Sequence, residues 1–522
     1  MSFPNKRVTF VHYSFLKSSF LRKVIILFWA TPVLAGVKPN RFQELIKPVD
    51  LETLYEKNVK TVTRRDLYSA ILERNLDLKQ SRIDLDIANQ SRDLVYIQMF
   101  VPRTTLTGDW NQNKSVSSIL SSARTLNLGL AIGATTDIGL SYQLSLPKLS
   151  LTRNYDGVFD NLNSQTASAG AEGSVTFSLL RGSIFFSNGL SRESADLDRT
   201  SAELSLKSTM INNLTTAENS FYDILLQEMR CKVQERTVQA SKALLENVNE
   251  MIRLGDSDQL SRTQVELQVA QAEVDLFVSR SSLNTAKAAL RNQLAMNVSE
   301  TQDVFPEPKE LYVEPKIPKL TLDQAIILAK KKRPDFLNAN IALRKAHISK
   351  DNALSQRMPQ LDLKATSGYG ANSDNISNAV SNLTRFGEMS YGVGFSFLYQ
   401  FFEDSDKFGH RQSILNLRKA EMALLNINNQ IWRDLSALLD NIEISKAKLK
   451  ISNLTRVLAE RKIAAEFLRF KSGESNVRNV IDFQFELATA RITEITSRVE
   501  LQKLWTSLRA ALGELPEGVD FQ

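Results

Sequence analysis

The chain alternates between long segments of helical periodicity and short segments of strand periodicity. The first helical segment has apolar residues at spacings of three and four, and it stops at Pro102, a residue type that ends helices. Its apolar positions are Leu67, Ala70, Ile71, Leu78, Ile83, Ile87 and Ala88. Directly afterwards Leu106, Gly108 and Trp110 alternate with polar residues, which predicts a strand over about 103–112.

Residues 123–151 predict a β-hairpin, because their even positions are apolar and their odd positions are mostly small or polar. The even positions are Leu126, Leu128, Leu130, Ile132, Ile138, Leu140, Tyr142, Leu144 and Leu146. A turn over 133–137 joins the two arms. A polar loop is expected over 153–172, and Val175, Phe177 and Leu179 then predict a strand over about 173–180.

Residues 192–253 contain no proline and predict one long helix. Its apolar seam steps by threes, fours and sevens, which is typical of a coiled coil. The seam consists of Leu204, Ile211, Leu214, Ala217, Phe221 and Ile224. Such a helix reaches about 90 Å at 1.5 Å per residue. Gly255 ends it, and a second helix is expected to run to about Met296.

The second half of the chain repeats this order after a linker over 301–320 that contains four prolines. We predict a helix over 322–358, a strand over 360–370, a loop over 371–388 and a strand over 389–401. A long helix, a turn at Gly473 and a helix to Leu512 follow. One face of the last strand is apolar and aromatic, comprising Tyr391, Val393, Phe395, Phe397, Tyr399 and Phe401.

Similar short sequences at matching places indicate an internal repeat. Residues 251–256 read Met-Ile-Arg-Leu-Gly-Asp and residues 469–474 read Arg-Phe-Lys-Ser-Gly-Glu. The predicted organisation is a signal peptide over 1–35, a lead-in over 36–63, a first repeat over 64–300, the linker, a second repeat over 321–515 and a tail over 516–522. The predicted fold class is α+β, with a two-fold internal repeat of long coiled-coil helices and short β-strands.

The first 35 residues contain five basic and no acidic residues, an apolar run over 24–29, and a small-residue site at Val33-Leu34-Ala35. This is the pattern of a secretory signal, with a membrane-anchoring helix as the alternative. Without it the chain has 65 − 5 = 60 basic and 58 acidic residues, a net charge of +2, so no nucleic-acid partner is expected. Residue 36 is Gly36 rather than cysteine, so a lipid anchor is not indicated.

The chain carries little of the chemistry that enzymes use. Cys231 is its only cysteine, and of its three histidines only His347 and His410 follow the signal. We recognise no metal-ligand cluster, nucleophile elbow, phosphate loop or catalytic triad. The chain is therefore expected to be no enzyme and to use no cofactor or metal.

Several motifs resemble those of one family. They are the Leu179-Leu180-Arg181-Gly182 corner after the predicted strand, Leu322-x-x-Ala325-Ile326, Arg333-Pro334-Asp335-Phe336, and the Gly turns followed by Val480-Ile481-Asp482. Together with the repeat they make the chain similar to the TolC-type outer-membrane efflux and secretion channels over about 64–515. Two departures stand out: Ser178 and Gln400 occupy places where that family usually has proline, and the 123–151 hairpin is additional.

The resemblance implies an outer-membrane protein with a long periplasmic extension. Three copies would form an α-helical periplasmic barrel, and four strands from each would close a shared outer-membrane β-barrel in lipid. A periplasmic adaptor protein would dock on the helix tips and link the channel to an inner-membrane transporter. The docking positions that it implies are Arg253, Leu254, Gly255, Lys471, Ser472 and Gly473. The implied entrance-lining candidates are Arg478, Asn479 and Asp482.

Alternatives remain at each level. The alternating strands also fit the edge of a soluble sandwich, the glycines are also ordinary helix C-caps, and Asp482 is also an ordinary solvated carboxylate. The function that the chain best fits is the passive exit duct of a tripartite efflux or type I secretion system, and the sequence does not separate these two. The rival is a periplasmic coiled-coil scaffold or adaptor without a pore.

Overall fold

A computed structural model describes residues 64–114, 122–136, 139–155, 164–182, 190–254, 257–294, 320–399, 405–472 and 474–516. The predicted signal peptide, the lead-in, nearly all of the linker and most of the tail lie outside the described residues. So do Gly255, Gly473, Gln400 and Phe401.

The first half of the described chain begins with two helices, continues with four strands and ends with two long helices. These are α1 (Arg64–Arg74), α2 (Leu76–Phe100), β1 (Arg103–Lys114), β2 (Ser122–Thr135), β3 (Leu140–Tyr155), β4 (Ser164–Ser178), α3 (Leu190–Leu254) and α4 (Gln259–Gln293). Pro102 separates α2 from β1, at the place where the sequence predicts the helix to end.

The second half has the same order with fewer strands. Its elements are α5 (Leu322–Lys332), α6 (Pro334–Gln356), β5 (Gln360–Ser373), α7 (Ile376–Phe386), β6 (Glu388–Leu398), α8 (Ser405–Lys471) and α9 (Val477–Ala511). The helices α3 and α8 have 65 and 67 residues. At 1.5 Å per residue each reaches about 100 Å. Among the described helices none is long and apolar enough to cross a membrane.

Each predicted opening helix is interrupted once. The helix expected over 322–358 breaks at Arg333, because Pro334 lacks the N–H that would continue the hydrogen-bonded ladder and instead starts α6. In the first half the break falls at Asn75, whose side-chain oxygen accepts a hydrogen bond from the Leu78 N–H and caps α2.

Both breaks contact the end of the last helix of their own repeat. The Asn75 side-chain amide donates to the carbonyl of Gln293 at the end of α4, at 3.2 Å. Gly513, two residues after the end of α9, has φ +75° and lies against Arg333, whose backbone nitrogen would be only 2.7 Å from a Cβ at Gly513. The Arg333-Pro334-Asp335-Phe336 motif thus forms a tightly packed joint within the second repeat.

The six strands form one antiparallel sheet in the order β1-β2-β3-β4-β5-β6. Sequence neighbours pair, and β4 pairs with β5, so the sheet joins the two halves of the chain. The register keeps apolar residues on one face from strand to strand. Leu106 lies opposite Leu130, Ile132 opposite Leu144, and Leu363 opposite Phe395.

The strand boundaries differ from the predicted ones in the first half. The loop expected over 153–172 is shorter, because β3 continues to Tyr155 and β4 begins at Ser164. Residues 164–173 are mostly Ser, Ala and Gly, which carry little strand propensity, and pairing with β3 and β5 on both sides holds them in the sheet.

A bulge in β3 exchanges the faces of its side chains. The register shifts between Ser145 and Lys148 on both sides of the strand, around Pro147, which has no N–H to give to a neighbour. Below the bulge Tyr142 and Leu144 occupy the apolar face, and above it Leu149 and Leu151 do. The extra residue therefore keeps that face apolar along the whole strand.

The loop expected over 371–388 contains the helix α7, so that prediction was wrong. Asn375 caps the helix by accepting from the Asn378 N–H at 2.8 Å. Ala379 is fully buried against Ala167 and Ala169 of β4, and Leu149, Leu151, Ile376 and Val380 pack around them. Polar residues cover the other side of α7, so it lies over one end of the apolar sheet face.

Three buried clusters form the core of the described helices, and two of them lie away from the helix ends at positions 255 and 473. One joins α1, α3, α4 and α9 around Phe221 and Tyr222, and the other joins α5, α8 and α9 around Ile431 and Leu508. All but one of the predicted seam residues of α3 are buried, and Leu204 is half-buried.

An ion pair lies inside the first cluster. Glu218 of α3 is 0% exposed, and both of its oxygens accept from the Arg509 guanidinium of α9, at 2.7 and 2.8 Å. Burial and the adjacent Glu218 carboxylate raise the pKa of Tyr68 on α1, which hydrogen-bonds to that carboxylate. Removing one partner would leave a buried charge uncompensated, so this pair fixes how the two halves meet.

Candidate functional site

The sheet has one apolar face and one polar face across all six strands. Its apolar face is most exposed on β6, where Tyr391 is 88% and Phe395 is 79% exposed. The other members on the described strands are Leu106, Trp110, Leu128, Tyr142, Leu144, Val175, Leu363, Tyr369, Met389, Val393 and Phe397. Tyr399, directly after β6, is also exposed. Among the described residues, only α7 covers part of this apolar face.

The opposite face consists of small and polar residues. Ser150 donates to Asn127 across the strands at 2.7 Å, and Lys148 pairs with Glu172 at 3.0 Å. On β6 this face carries Ser390, Gly392, Gly394 and Ser396. A sheet with these two faces can separate lipid from water, as transmembrane strands do.

The first strand-to-helix corner connects the two repeats. The Leu179 N–H donates to the Leu361 carbonyl at 2.8 Å, and the Arg181 Nε donates to the Met358 carbonyl at 3.0 Å. Gly182 has φ +74°, a conformation that side chains disfavour, and its N–H donates to Ser355. The Leu-Leu-Arg-Gly motif therefore fixes the base of the sheet to the end of α6. The second corner, over 401–404, lies outside the described residues.

The helix ends that flank positions 255 and 473 lie close together. The cluster that shows this contains Leu244 and Val248 of α3, Val265 of α4, Phe470 of α8, and Val477 and Val480 of α9. Four helix ends meet around it. The sequence predicts a turn at each of these positions, and the structure brings the flanking helix ends together.

Matching N-caps follow the two turns at equal spacing. Asp258 accepts from the Ser261 N–H at 2.9 Å, and Asn476 accepts from the Arg478 N–H at 2.7 Å. Each lies three residues after its glycine. The hydrogen bonds of the Ser261 side chain and backbone lower the pKa of Asp258. Our sequence reasoning missed these caps, although an Asp or Asn before a helical pattern is a recognised start signal.

The residues predicted for docking are exposed where the structure describes them. Leu254 is 65% exposed at the end of α3, and Arg253 pairs with Glu250 one turn earlier. Ser472 donates to the Arg469 carbonyl at 3.0 Å and so closes the last turn of α8. Lys471 ends α8, and its side chain, like both glycines, lies outside the description.

The three entrance-lining candidates lie within the first two turns of α9, all with exposed side chains. Asn479 donates to Ser475 at 3.4 Å, and Ser475 donates to the buried Glu466 of α8. Asp482 has no hydrogen-bond or ion-pair partner among the described residues, and Arg478 is one turn before it. An unpaired carboxylate is available to act on ions near the helix ends.

A groove of ≈ 760 Å³ runs between α8 and α9. Ile444, Ile451 and Phe485 line it, and each of these side chains is mostly exposed. Other helices also carry exposed apolar rows, on α2 (Ile83, Ile87, Leu94) and α4 (Leu260, Leu267, Val274, Phe277). These rows have coiled-coil spacing, and no other described part of the chain covers them.

Comparisons with known proteins agree with this architecture. Residues 325–514 match the family described as outer membrane efflux protein. A search of curated proteins found no significant match.

Three solved structures have the same fold. They are CusC (15% identity, TM-score 0.65, 87% of this chain and 92% of that one), MtrE of Neisseria gonorrhoeae in its open state (15%, 0.64, 86% and 89%) and CmeC of Campylobacter jejuni (12%, 0.65, 99% and 96%). CusC forms a transmembrane channel, and the other two are outer membrane channels.

The described part of the chain therefore has the fold of the outer-membrane efflux channels, and the resemblance to the TolC-type family is confirmed. The matched family and the similar structures are channel proteins rather than enzymes.

Proposed function

We propose that this protein is the subunit of a homotrimeric outer-membrane channel. It would be the passive exit duct of a tripartite system, coupled to an inner-membrane pump through a periplasmic adaptor. The observation that carries the proposal is the sheet with an aromatic belt on one face and Ser, Thr and Gly on the other, continued by helices of 65 and 67 residues.

The single chain is incomplete as a membrane protein, which supports self-assembly. The outer edges of β1 and β6 have no strand partner in the six-stranded sheet. Unpaired backbone groups are very costly in lipid, so a spanning sheet must close. The exposed apolar rows of α2, α4 and α8 need cover as well, and further copies of the chain would supply it through helix packing.

The shared end of the helices is the proposed adaptor-docking site. It presents Arg253, Leu254 and Ser472 on the surface next to Gly255 and Gly473. The cluster beneath these turns fixes all four helix ends relative to one another. A rearrangement of these ends would open the entrance, with Asp482 contributing negative charge beside it.

The scaffold alternative explains the long helices but not the sheet. A periplasmic scaffold has no use for Tyr391, Val393 and Phe395 on the most exposed face of the sheet. Efflux and type I secretion both fit the described features. No described residue separates these two, because a conduit of this kind contacts its cargo loosely.

The decisive test is conductance of the purified full-length protein in a planar bilayer, with its mass measured in detergent. We expect trimers and discrete channels. Phe395→Arg puts a charge on the lipid face, which costs about 2–4 kcal/mol at the midplane, and should reduce insertion. Gly394→Arg puts the same charge on the polar face and should still insert. A monomeric protein without conductance would contradict the channel.

Deletion of the gene in its native host would then identify the cargo class. Loss of particular proteins from the culture medium would indicate secretion. Increased sensitivity to dyes, detergents, antibiotics or metals with an unchanged set of secreted proteins would indicate efflux. The compounds affected would name the substrate class.

A further inference from the structure

The strand ends nearest the helices, called the lower ends here, are staggered in one direction across the sheet. Following paired residues from Arg103 leads through Gly133, Gln143, Ser174 and Thr366 to Gly392. At the end nearest the helices β1 begins at this row. The other strands extend past it by two residues in β2, three in β3, four in β4 and six in both β5 and β6. Strands that are tilted but end at one level produce such a stagger.

The two edge strands suit each other as partners. Six antiparallel strands place β1 and β6 in opposite directions, so β6 of one copy and β1 of a rotated copy would pair antiparallel. They have similar lengths, 12 and 11 residues. Leu106 is 81% exposed on the same face as Phe395, so the described residues leave this face uncovered at both edges of the sheet.

The ends and faces of the strands select one register. Placing Leu398 level with Arg103 of the next copy aligns the lower ends of β6 and β1. It brings Phe395 opposite Leu106 and Tyr391 opposite Trp110, so apolar residues meet on one face. A slip of one residue would put apolar side chains opposite polar ones, which a sheet with one lipid face does not tolerate.

We propose that β1 pairs with β6 of a second copy of this chain in this register, and that three copies close an 18-stranded barrel. The copy number rests on the proposed channel function, and six strands per copy give the total. Crossing one copy, from its β1 to β1 of the next copy, takes six strand-to-strand steps and shifts the pairing register by six residues. With strand spacings of about 4.8 Å and a rise of about 3.4 Å per residue, the tilt is about 35°. This tilt is within the range of outer-membrane barrels.

The proposed barrel is wide. Eighteen strands at this tilt give a diameter of about 34 Å between backbones. A barrel with four strands from each of three copies, twelve in total, would give about 23 Å. The hairpin of β2 and β3 would thus enlarge the outer mouth rather than fold over it. Because the inner face carries mostly small residues, the narrowest point would lie in the helical part.

The junction is tested by cross-linking in the full-length protein. In a Cys231→Ser background, Thr105→Cys and Ser396→Cys lie opposite each other on the polar face in the proposed register. Oxidation should give covalent dimers and trimers and nothing larger. The matched control combines Thr105→Cys with Ser390→Cys, about 20 Å farther along the strand, and should stay uncoupled. Each single-cysteine variant should also stay uncoupled and conduct like the parent.

The outcomes separate the barrel from the channel itself. If the Thr105–Ser396 pair does not couple in a protein that is trimeric and conducts, the junction is refuted and the channel stands. Coupling of the control pair would refute the register. A protein that is neither trimeric nor conducting would refute the proposed function as well.

The width is tested by adding neutral polymers of graded size to the outer side of the bilayer. Polymers that enter the mouth reduce the conductance. We expect entry up to a size that a 23 Å backbone ring would exclude. Exclusion at the smaller size would refute the 18-stranded barrel.

Discussion

At the scale of the residue, the contact between Gly513 and Arg333 depends on the absence of a side chain at Gly513, which lets the two backbones approach closely. Gly513 combines φ +75° with an approach that leaves no room for a Cβ. Asp335 accepts two hydrogen bonds from the Arg333 Nε and one from its Nη2 at 2.7 Å, and Arg333 also lies 3.7 Å from Asp434 of α8. Conformation, packing and charge thus coincide at one turn.

Three glycine variants separate conformation from packing. Gly513→Ala should lower stability most, because it combines a left-handed backbone with a Cβ 2.7 Å from backbone atoms. Gly182→Ala, with φ +74° but open space, should cost about 1–2 kcal/mol. Gly409→Ala lies within α8 in open space and should be neutral or stabilising by up to about 1 kcal/mol.

Thermal and denaturant unfolding of the purified protein, followed by circular dichroism, measures this order. Equal losses in Gly513→Ala and Gly182→Ala would show that the approach to Arg333 does not matter.

The Asp335 carboxylate should make stability depend on pH. Burial opposes its ionisation, but the Arg333 guanidinium outweighs burial and lowers its pKa below 3.8. A lowered pKa in the folded state means that this contribution is present above about pH 4 and is lost as the pH falls through the folded pKa. At Glu460 burial also opposes ionisation, but hydrogen bonds from Arg491 and Arg456 outweigh it and lower the pKa, so this group acts in the same direction.

The measurement is the unfolding midpoint between pH 6 and pH 3. The parent should lose stability on acidification, and Asp335→Asn should start lower and fall less steeply. Asp323→Asn, at an exposed position of the adjacent helix α5, is the matched control. A slope for Asp335→Asn identical to that of the parent would contradict the role of the carboxylate.

At the scale of the element, α7 shows where periodicity could have been used further. Residues 376–386 carry Ile376, Ala379, Val380 and Leu383 at helical spacing after an Asn cap, yet the many Asn and Ser residues favoured a loop. The polar composition reflects the outward face of the helix. The helix has only a few apolar residues on the side that faces the sheet, and a helix this short is stable only through that contact.

Substitutions on the two faces of α7 test its contact with the sheet. Ala379→Glu buries a charge against Ala167 and Ala169 and should detach the helix, since an unpaired buried charge is very unfavourable. Ser381→Glu adds the same charge to the exposed face and should change little. Limited proteolysis detects the difference as cleavage within 375–387 only in Ala379→Glu. Equal resistance of both variants would contradict the packing of α7.

The sequence also contains a signal for the bulge in β3. The apolar positions change from even to odd between Leu146 and Leu149, which is what one extra residue in a strand produces. The predicted hairpin extends to residue 151, but its alternation was followed only as far as Leu146, and the loop was expected from residue 153. The change of phase at Pro147 was the available signal.

At the scale of the whole molecule, the helix ends that flank positions 255 and 473 come together although more than 200 residues separate them. Neither turn explains this alone. The cluster of Leu244, Val265, Phe470 and Val480 holds both at one end, where Asp482 is exposed one turn from Arg478. If these ends form the channel entrance, three copies would place three Asp482 carboxylates around it.

Reversing this charge tests the entrance. Asp482→Arg should lower the cation preference and change the conductance of the channel in a planar bilayer, because a ring of charge acts on ions at close range. Asp440→Arg, an exposed position elsewhere on α8, is the matched control and should conduct like the parent. An unchanged ion preference in Asp482→Arg would contradict its lining role.

The sequence by itself determined the helical and strand periods, the order of elements and the alternating faces of the strands, because these depend on residues that are near one another in the chain. It also carried the motifs of the family. It did not determine which apolar rows are buried: Leu67 and Ile71 lie in the core, whereas Ile83 and Ile87 of the same pattern are exposed.

Only the tertiary structure decided the continuous six-stranded sheet, the strand formed by the small residues of 164–173, the helix α7 and the meeting of the helix ends that flank positions 255 and 473. Each of these depends on partners far away in sequence. Ser, Ala and Gly adopt a strand because paired neighbours on both sides satisfy their backbone hydrogen bonds. An apolar row carries no information about which surface will cover it until the chain has folded.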